Sequence, residues 1–271
     1  MVVLYLSKHP IYGGFSKNVA AGYNTIKITG GNIDSEVYGG YSAGDTIANR
    51  VIISSGNITE SVYGGYSSSD GWVGLNYIDI YGGQFDNVNI YGGYALKFTS
   101  ARNEVRIYGN PKLDNAYLYG GGTFIGDSVD NTLNIYTKGL TAKNIDSFQN
   151  INFYIPVGTV NGDTILTLTE TTETNFKGTW IHTGTNLIGV KINAGVMAGN
   201  NTLNNGDTVI LLTNEHGLTT DGTTYGKLTE GVSLTHDLTV SRSSDGKSIV
   251  AQIGSTTTPT TPTTPVLNKE T

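Results

Sequence analysis

The chain has 271 residues with 16 Lys and Arg against 22 Asp and Glu, a formal net charge of -6, and its basic residues form no cluster. This balance excludes the electrostatic footprint of a nucleic-acid-binding protein and of a protein that docks on anionic membranes. Cysteine is absent, and no apolar run reaches the roughly 20 residues of a transmembrane helix, so neither a disulfide framework nor a helical anchor is predicted.

Residues 1–137 are organised by a repeated Tyr-Gly-Gly motif. Its tyrosine stands at positions 12, 38, 63, 91 and 119, so the copies are 26, 25, 28 and 28 residues apart. A near-constant period of this length is typical of a solenoid built from stacked coils. An asparagine followed by alternating apolar residues lies 11 to 13 residues after each of these tyrosines. The five asparagines are Asn24, Asn49, Asn76, Asn103 and Asn131.

Each repeat contains short alternating segments rich in β-branched residues, separated by glycine-rich turns, and this pattern predicts strands. We therefore predict an all-β fold, a parallel β-helix, and the strand-crossover rule leads us to expect a right-handed one. The asparagines are predicted to stack as a structural amide ladder at one corner. Two apolar residues of each repeat are predicted to stack in the interior: Ile26 and Ile28, Val51 and Ile53, Ile78 and Ile80, Val105 and Ile107, and Leu133 and Ile135.

Residues 138–255 lose the motif but remain rich in predicted strands. NGDTILTLT at Asn161–Thr169 returns as NGDTVILLT at Asn205–Thr213, and a hairpin is predicted to turn at Asp245 and Gly246. Because a repeat array needs an atypical end to shield its last apolar layer, we predict that 138–255 is a β-rich C-terminal cap. The Thr/Pro-rich residues 256–271 are predicted to be an extended linker. The residues before Ile11 are too few for a secretory signal, so the chain is expected to be a fragment.

The chain resembles the end of an autotransporter passenger domain, a type V secreted protein, just before its translocator barrel. The matching stretches are NTLNIYTKGLTAKNIDSFQNINFYIP (Asn131–Pro156), the two NGDT segments, LTEGVSLTHDLTVSRSSDGKSIVAQIG (Leu228–Gly254) and the linker that ends PVLNKET. The Tyr-Gly-Gly repeats resemble the variable upstream arrays of the same family.

The resemblance implies a β-helical passenger exported to the outer membrane of a Gram-negative bacterium and displayed at the cell surface, often as an adhesin in virulence. It also implies that 138–255 acts as an autochaperone-like region, which helps the passenger to fold from its C-terminal end. The translocator barrel of the full-length protein is the implied partner. The chain itself is expected to be a monomer.

Candidate catalytic and metal-binding residues are sparse, and we assign no catalytic, cofactor-binding or metal-binding residue. The histidines lack the spacing of metal ligands, and SRSSDGKS (Ser241–Ser248) lacks the first glycine and the helical setting of a phosphate-binding loop. Asp127 and Asp130 form the closest acidic pair in the last turn of the array. Four further residues occupy roughly one repeat position, which we interpret as a solvated face: Glu36, Glu60, Asp86 and Asn115. The histidines are His9, His182, His216 and His236.

The tyrosines of the motif are the candidates for ligand contact. If the apolar residue before each one points inward, alternation directs Tyr38, Tyr63, Tyr91 and Tyr119 outward, where they could offer a flat surface to a sugar or a protein. The alternative, which we favour, is that the glycines bend the chain and the rings pack on one another as a structural ladder. A second column lies three residues further on, and one of the two is expected to be buried. Its members are Phe15, Tyr41, Tyr66 and Tyr94.

Taken with the repeat architecture, the resemblance implies a surface-displayed adhesin or interaction module that binds a host surface or a glycan through one face of a solenoid. We expect no enzymatic activity and no cofactor. Two alternatives stay open: a carbohydrate-active β-helix enzyme, such as a polysaccharide lyase or hydrolase, and a purely structural stalk.

Overall fold

The computed structural model describes residues 6–175, 191–196, 203–219, 224–230 and 234–257. Within these ranges the chain is all-β, and parallel sheets stack into a β-solenoid of about 6 turns. The predicted fold class is therefore confirmed. The same ranges contain no helix that is long and apolar enough to span a lipid bilayer. Most of the predicted linker, together with His182, lies outside the described residues.

Three sheets form the walls of the solenoid, and a fourth, two-stranded sheet pairs β24 (Thr174–Asn175) with β27 (Leu218–Thr219). The first sheet contains β1 (Leu6–Ser7), β4 (Thr25–Ile33), β7 (Arg50–Ile58), β11 (Tyr77–Ile80), β12 (Gln84–Phe85), β16 (Glu104–Ile107), β20 (Thr132–Ile135), β22 (Asn150–Ile155) and β25 (Lys191–Val196). The second sheet contains β3 (Ala21–Gly22), β6 (Thr46–Ile47), β10 (Val73–Gly74), β15 (Ser100–Ala101) and β19 (Ser128–Val129).

The third sheet carries the Tyr-Gly-Gly motifs and continues into the C-terminal region. In the repeats it contains β2 (Ile11–Ser16), β5 (Val37–Ser42), β8 (Val62–Tyr63), β9 (Tyr66–Ser67), β13 (Asn89–Tyr91), β14 (Tyr94–Ala95), β17 (Leu113–Tyr119) and β18 (Gly122–Thr123). It then adds β21 (Leu140–Asp146), β23 (Thr164–Leu168), β26 (Thr208–Asn214), β28 (Thr224–Glu230), β29 (Leu234–Arg242) and β30 (Ser248–Thr257).

Apolar residues at equivalent positions of successive coils stack in the interior. Ile78, for example, lies opposite Val51 of the preceding coil and Val105 of the following coil. All ten residues predicted for the interior ladders are buried, so that prediction is confirmed. In four of the five repeats the residue directly before the tyrosine of the motif is buried as well. These residues are Val37, Val62, Ile90 and Leu118. Burial of these columns removes their apolar surface from water, which is the main stabilising contribution to such a fold.

The two glycines of the motif permit close approach between neighbouring coils. A Cβ atom on Gly64 would lie 2.3 Å from the carbonyl oxygen of Gly92 in the next coil. A Cβ atom on Gly65 would lie 2.6 Å from Nδ2 of Asn76. Both contacts are far shorter than a Cβ atom tolerates, so any larger residue must displace the coil or the asparagine.

The backbone bends immediately before each stacked asparagine. Five residues that are not glycine have φ angles between 54° and 61° there, which is the left-handed region. The strands β2 and β5 run through their two glycines without interruption, whereas the chain bends at the first glycine of the other three motifs. The expectation that the glycines bend the chain therefore holds at Gly64, Gly92 and Gly120 only. The five corner residues are Tyr23, Ala48, Leu75, Arg102 and Asp130.

Beyond the repeats, parallel stacking gives way to antiparallel pairing. The strands β23 and β26, which follow the two NGDT segments, pair in parallel with Leu166 opposite Leu212. β26 then pairs antiparallel with β30, and β30 with β29. The connection from β29 to β30 turns at Asp245 and Gly246, as predicted, with a φ of 72° at Gly246.

One coil near the end of the array is shortened. Tyr119 and Asn131 of the fifth coil are separated by the strands β18 and β19, but their counterparts Asp146 and Gln149 are joined by Ser147 and Phe148 alone. As a result, β18 and β19 are edge strands, with no further strand stacked on them within the described chain.

Candidate functional site

The five asparagines stack on one another along one corner of the solenoid. Nδ2 of Asn49 donates to Oδ1 of Asn76 at 3.0 Å, and Nδ2 of Asn76 donates to Oδ1 of Asn103 at 3.0 Å. Each Oδ1 also accepts the backbone N–H of the preceding asparagine, as Asn76 Oδ1 does from Asn49 at 3.0 Å. Asn49, Asn76, Asn103 and Asn131 are fully buried. Their polar atoms are engaged within the fold, which gives the ladder a structural role.

The ladder continues past the last predicted asparagine. The backbone N–H of Asn131 donates to Oε1 of Gln149 at 2.8 Å, so a glutamine takes the next position in the shortened coil. Because this coil lacks the Tyr-Gly-Gly motif, the sequence does not reveal Gln149 as a position of the ladder, although its side chain is an amide like that of asparagine.

The tyrosines of the motif form a continuous stack of five rings on the outside of the third sheet. Neighbouring ring centroids lie 4.6 to 5.3 Å apart, and the rings are within 11° of parallel. Tyr12 is 40% exposed, and the other four are partly buried by their neighbours. Its members are Tyr12, Tyr38, Tyr63, Tyr91 and Tyr119.

The second column stacks in the same way beside the first. Its centroids are 5.2 to 5.4 Å apart, and Phe15 is 53% exposed. The two columns meet edge to face, as for Tyr38 and Tyr41 at 5.2 Å and 87°. Neither column is buried, so the expectation that one of them would be is wrong. We call the resulting surface of nine rings the tyrosine face: Tyr12, Phe15, Tyr38, Tyr41, Tyr63, Tyr66, Tyr91, Tyr94 and Tyr119.

The phenols of Tyr38 and Tyr91 stay protonated at neutral pH. Burial raises the pKa of Tyr38 and of Tyr91 well above the ordinary value of 10.0, and the neighbouring Tyr63 and Tyr119, respectively, raise it further. A neutral phenol is both a hydrogen-bond donor and an acceptor. The face therefore combines stacked apolar rings with hydroxyl groups. This combination is suited to a ligand that is apolar on one face and polar at its edge.

A third stack of tyrosines lies outside the first sheet and was not predicted. Its centroids are only 4.3 to 4.6 Å apart. The sequence contains a signal for this stack. Tyr81, Tyr108 and Tyr136 each directly follow the alternating segment that begins at an asparagine of the ladder, and Tyr154 directly follows the corresponding segment that begins at Gln149. Thr29 and Ser54 occupy the position in the earlier coils, so the column is not common to all repeats. Its members are Tyr81, Tyr108, Tyr136 and Tyr154.

Beside this third stack, a charged network covers the same wall. Asp79 is fully buried between Arg50 and Arg106 of the adjacent coils, with Arg106 3.5 Å from its Oδ1. Arg106 also contacts Glu104 and lies 4.6 Å from the centre of the Tyr77 ring. The guanidinium groups are thus engaged by carboxylates and a ring, so this network holds coils together.

The remaining candidate residues do not converge on one site. Asp130 contacts Arg102 at 4.0 Å on the exposed corner. The strand register places Glu36 opposite Ser61 and Asp86 opposite Thr59, so Glu60 does not stack on either of them. Glu60, Asp86 and Asn115 are exposed, as expected for a solvated face. Within the described ranges, no group of three or more His, Asp and Glu residues could hold a metal ion.

Comparisons with known proteins returned no family model, no curated protein and no solved structure similar to this chain.

Proposed function

We propose that the chain is an interaction module that binds glycans through its tyrosine face. The observation that carries this proposal is the continuous nine-ring surface, which runs along the repeats on the outside of the third sheet. Sugar rings present apolar C–H faces and hydroxyl edges, and stacked neutral tyrosines match both. The repeat of one ring pair per coil suits a polymeric ligand, because solenoids bind along an extended side surface.

The wider setting that we propose is an autotransporter passenger, displayed at the surface of a Gram-negative bacterium and followed by a translocator barrel. Support comes from the β-solenoid of about 6 turns, which is compatible with such a passenger. The antiparallel strands β28, β29 and β30 at its C-terminal end suit a cap beside a barrel. In this setting the module would act as an adhesin.

The test is a binding assay on a glycan array with the purified chain and with two matched variants. The variant Tyr38→Ala/Tyr63→Ala removes two stacked rings from the tyrosine face. We expect it to lose at least about tenfold in affinity for the glycans that the wild type binds, because the two rings supply the apolar surface on which a sugar C–H face stacks, and a loss of about 1.4 kcal/mol is tenfold in affinity. The control Tyr108→Ala/Tyr136→Ala removes two stacked rings from the third stack and should bind normally. Circular dichroism and thermal unfolding establish that both variants fold.

Equal binding by the Tyr38→Ala/Tyr63→Ala variant and the wild type would contradict the proposal, as would equal losses in both variants. A structural stalk is the second candidate, favoured by the unbroken asparagine ladder. A stalk predicts that display of the chain on cells confers no glycan binding, and that removing two whole repeats changes no binding property of a protein carrying it.

A further inference from the structure

The second column of the tyrosine face ends abruptly at Gly122. This glycine lies opposite Tyr94 in the parallel register of β14 and β18, at the position of the next ring. One side of the Tyr94 ring stacks on Tyr66 at 5.4 Å. A Cβ atom on Gly122 would lie 2.4 Å from Cδ2 of Tyr94, so the ring leans over the glycine. Within the described chain, no ring from the next coil stacks on the opposite side of Tyr94.

The shortened coil leaves the space beside Gly122 open from above. Because Ser147 and Phe148 join the two corners directly, no strand stacks on β18 or β19 among the described residues. The first column ends here too, since Asp146 lies opposite Tyr119. Phe124 and Ile125, in the connection between the two edge strands, are 75% and 61% exposed.

These two features form a cleft with a volume of about 320 Å³. The rings of Tyr94, Tyr119 and Phe124 form its apolar part, and the hydroxyl groups of Thr123, Ser128 and Ser147 lie around it. Ser128 Oγ accepts a hydrogen bond from Asn131 at 3.0 Å, which leaves its own hydrogen as a donor. A cleft of this size is at the lower end of ligand-binding pockets and fits one or two sugar units.

The charges around the cleft select among sugars. The side chains that line it are all uncharged. Asp146 lies opposite Tyr119 and interacts electrostatically with Tyr91 and Tyr119, so negative charge lies at the margin of the cleft. A carboxylate on a uronic or sialic acid would be repelled by this group, whereas a neutral sugar would not.

We propose that this cleft binds the terminal hexopyranose of a neutral glycan, with the sugar ring in the place of the missing tyrosine of the second column. The C–H face of the sugar stacks on Tyr94 beside Tyr119, and its hydroxyl groups bond to Ser128 and Ser147. This inference rests on the proposed function, since it names the sugar class and the end at which a glycan lying along the tyrosine face would terminate.

The test is isothermal titration calorimetry of the full chain with neutral tetrasaccharides of glucose, galactose and mannose, and with a tetrasaccharide of galacturonic acid. We expect binding of at least one neutral tetrasaccharide and at least tenfold weaker binding of the acidic one. Gly122→Tyr places a side chain where the sugar is proposed to lie and displaces the Tyr94 ring, which its Cβ atom would approach to 2.4 Å, so it should weaken neutral binding at least tenfold. Phe124→Ala, at an exposed position that tolerates truncation, should weaken it severalfold. Tyr23→Ala, at an 84% exposed ring on another corner, should change nothing.

Three outcomes would overturn the cleft: no binding of any neutral tetrasaccharide, tighter binding of the acidic one, or wild-type affinity in both Gly122→Tyr and Phe124→Ala. The two proposals fail separately. If Tyr38→Ala/Tyr63→Ala abolishes glycan binding and Gly122→Tyr leaves it unchanged, the cleft is excluded and the tyrosine face remains. If the wild type binds no glycan on the array, both the proposed function and the cleft are excluded.

Discussion

Asn76 ties three successive coils together with one side chain. Its Nδ2 donates to the carbonyl oxygen of Thr46 at 3.0 Å and to Oδ1 of Asn103 at 3.0 Å. Its Oδ1 accepts from both the backbone N–H and Nδ2 of Asn49. Asparagine is suited to this position because its amide is a donor and an acceptor at once, so identical residues can pair with one another without limit.

Replacement of this asparagine is the first prediction. Asn76→Ala removes four hydrogen bonds, and the buried groups of Asn49, Asn103 and Thr46 that took part in them lose these bonds. We therefore expect the free energy of unfolding to fall by about 3 kcal/mol. The measurement is the urea unfolding midpoint, followed by circular dichroism. Asn115→Ala is the matched control, because Asn115 is exposed and its side chain donates one hydrogen bond at the surface, to Asp86. It should stay within about 0.5 kcal/mol of the wild type, and a similar loss in both variants would contradict the ladder's role.

At the scale of the strand, the Tyr-Gly-Gly motif sets how closely coils pack. In four consecutive coils the first glycine faces the carbonyl oxygen of its counterpart, as Gly39 faces Gly64 and Gly64 faces Gly92. The second glycine makes room for the asparagine ladder. The motif and the ladder are therefore two sides of one packing arrangement, which explains why both recur with the same period.

The second prediction follows from this packing. Gly64→Ala places a methyl group 2.3 Å from a backbone oxygen that belongs to a rigid neighbouring strand. Relief requires the two coils to separate, so we expect a loss of about 2 kcal/mol or more in the free energy of unfolding. Gly44→Ala is the control, because the nearest atom to its Cβ would lie at an ordinary 3.5 Å. Thermal unfolding of both proteins decides the matter, and equal stability of the two variants would disprove the close-approach argument.

The sequence predicts this architecture well wherever a feature recurs in every coil. The asparagine positions and the interior pairs such as Val51 and Ile53 follow from period and alternation alone. The common face of Tyr63 and Tyr66 does not, because residues three apart in a regular strand point to opposite sides. A bend at Gly64 interrupts the strand between β8 and β9 and brings both rings to one side.

The shortened coil was also beyond sequence reasoning. It retains the alternating apolar segment in β22 but replaces the motif tyrosine with Asp146 and the asparagine with Gln149. Because both landmarks are lost together, the period cannot be followed into this coil. The edge that it exposes, with Gly122 and Phe124, is the part of the candidate site that depends most on three-dimensional structure.

At the scale of the whole molecule, the three tyrosine stacks make the stability of the fold depend on pH in the alkaline range. Burial raises the pKa of the phenol for tyrosines in all three stacks, since a phenolate among rings is poorly solvated. The unfolded chain releases these protons near pH 10, whereas the folded chain keeps them to higher pH. Besides Tyr38 and Tyr91, the affected residues include Tyr12, Tyr63, Tyr66, Tyr108, Tyr119 and Tyr136.

The third prediction is a progressive loss of stability above about pH 10. The folded state then binds more protons than the unfolded state, so the free energy of unfolding must fall as pH rises. The contribution is complete below about pH 10 and declines toward the raised pKa values of the folded chain. Urea midpoints measured from pH 8 to 12, with tyrosinate absorbance recorded in parallel, should show unfolding and ionisation together. Tyr38→Phe/Tyr91→Phe keeps the stacked rings but removes two of the ionising groups, so its midpoint should decline less steeply. A decline as steep as in the wild type would mean that other groups cause the alkaline transition, because stacking is unchanged in this variant and only the phenolic protons differ.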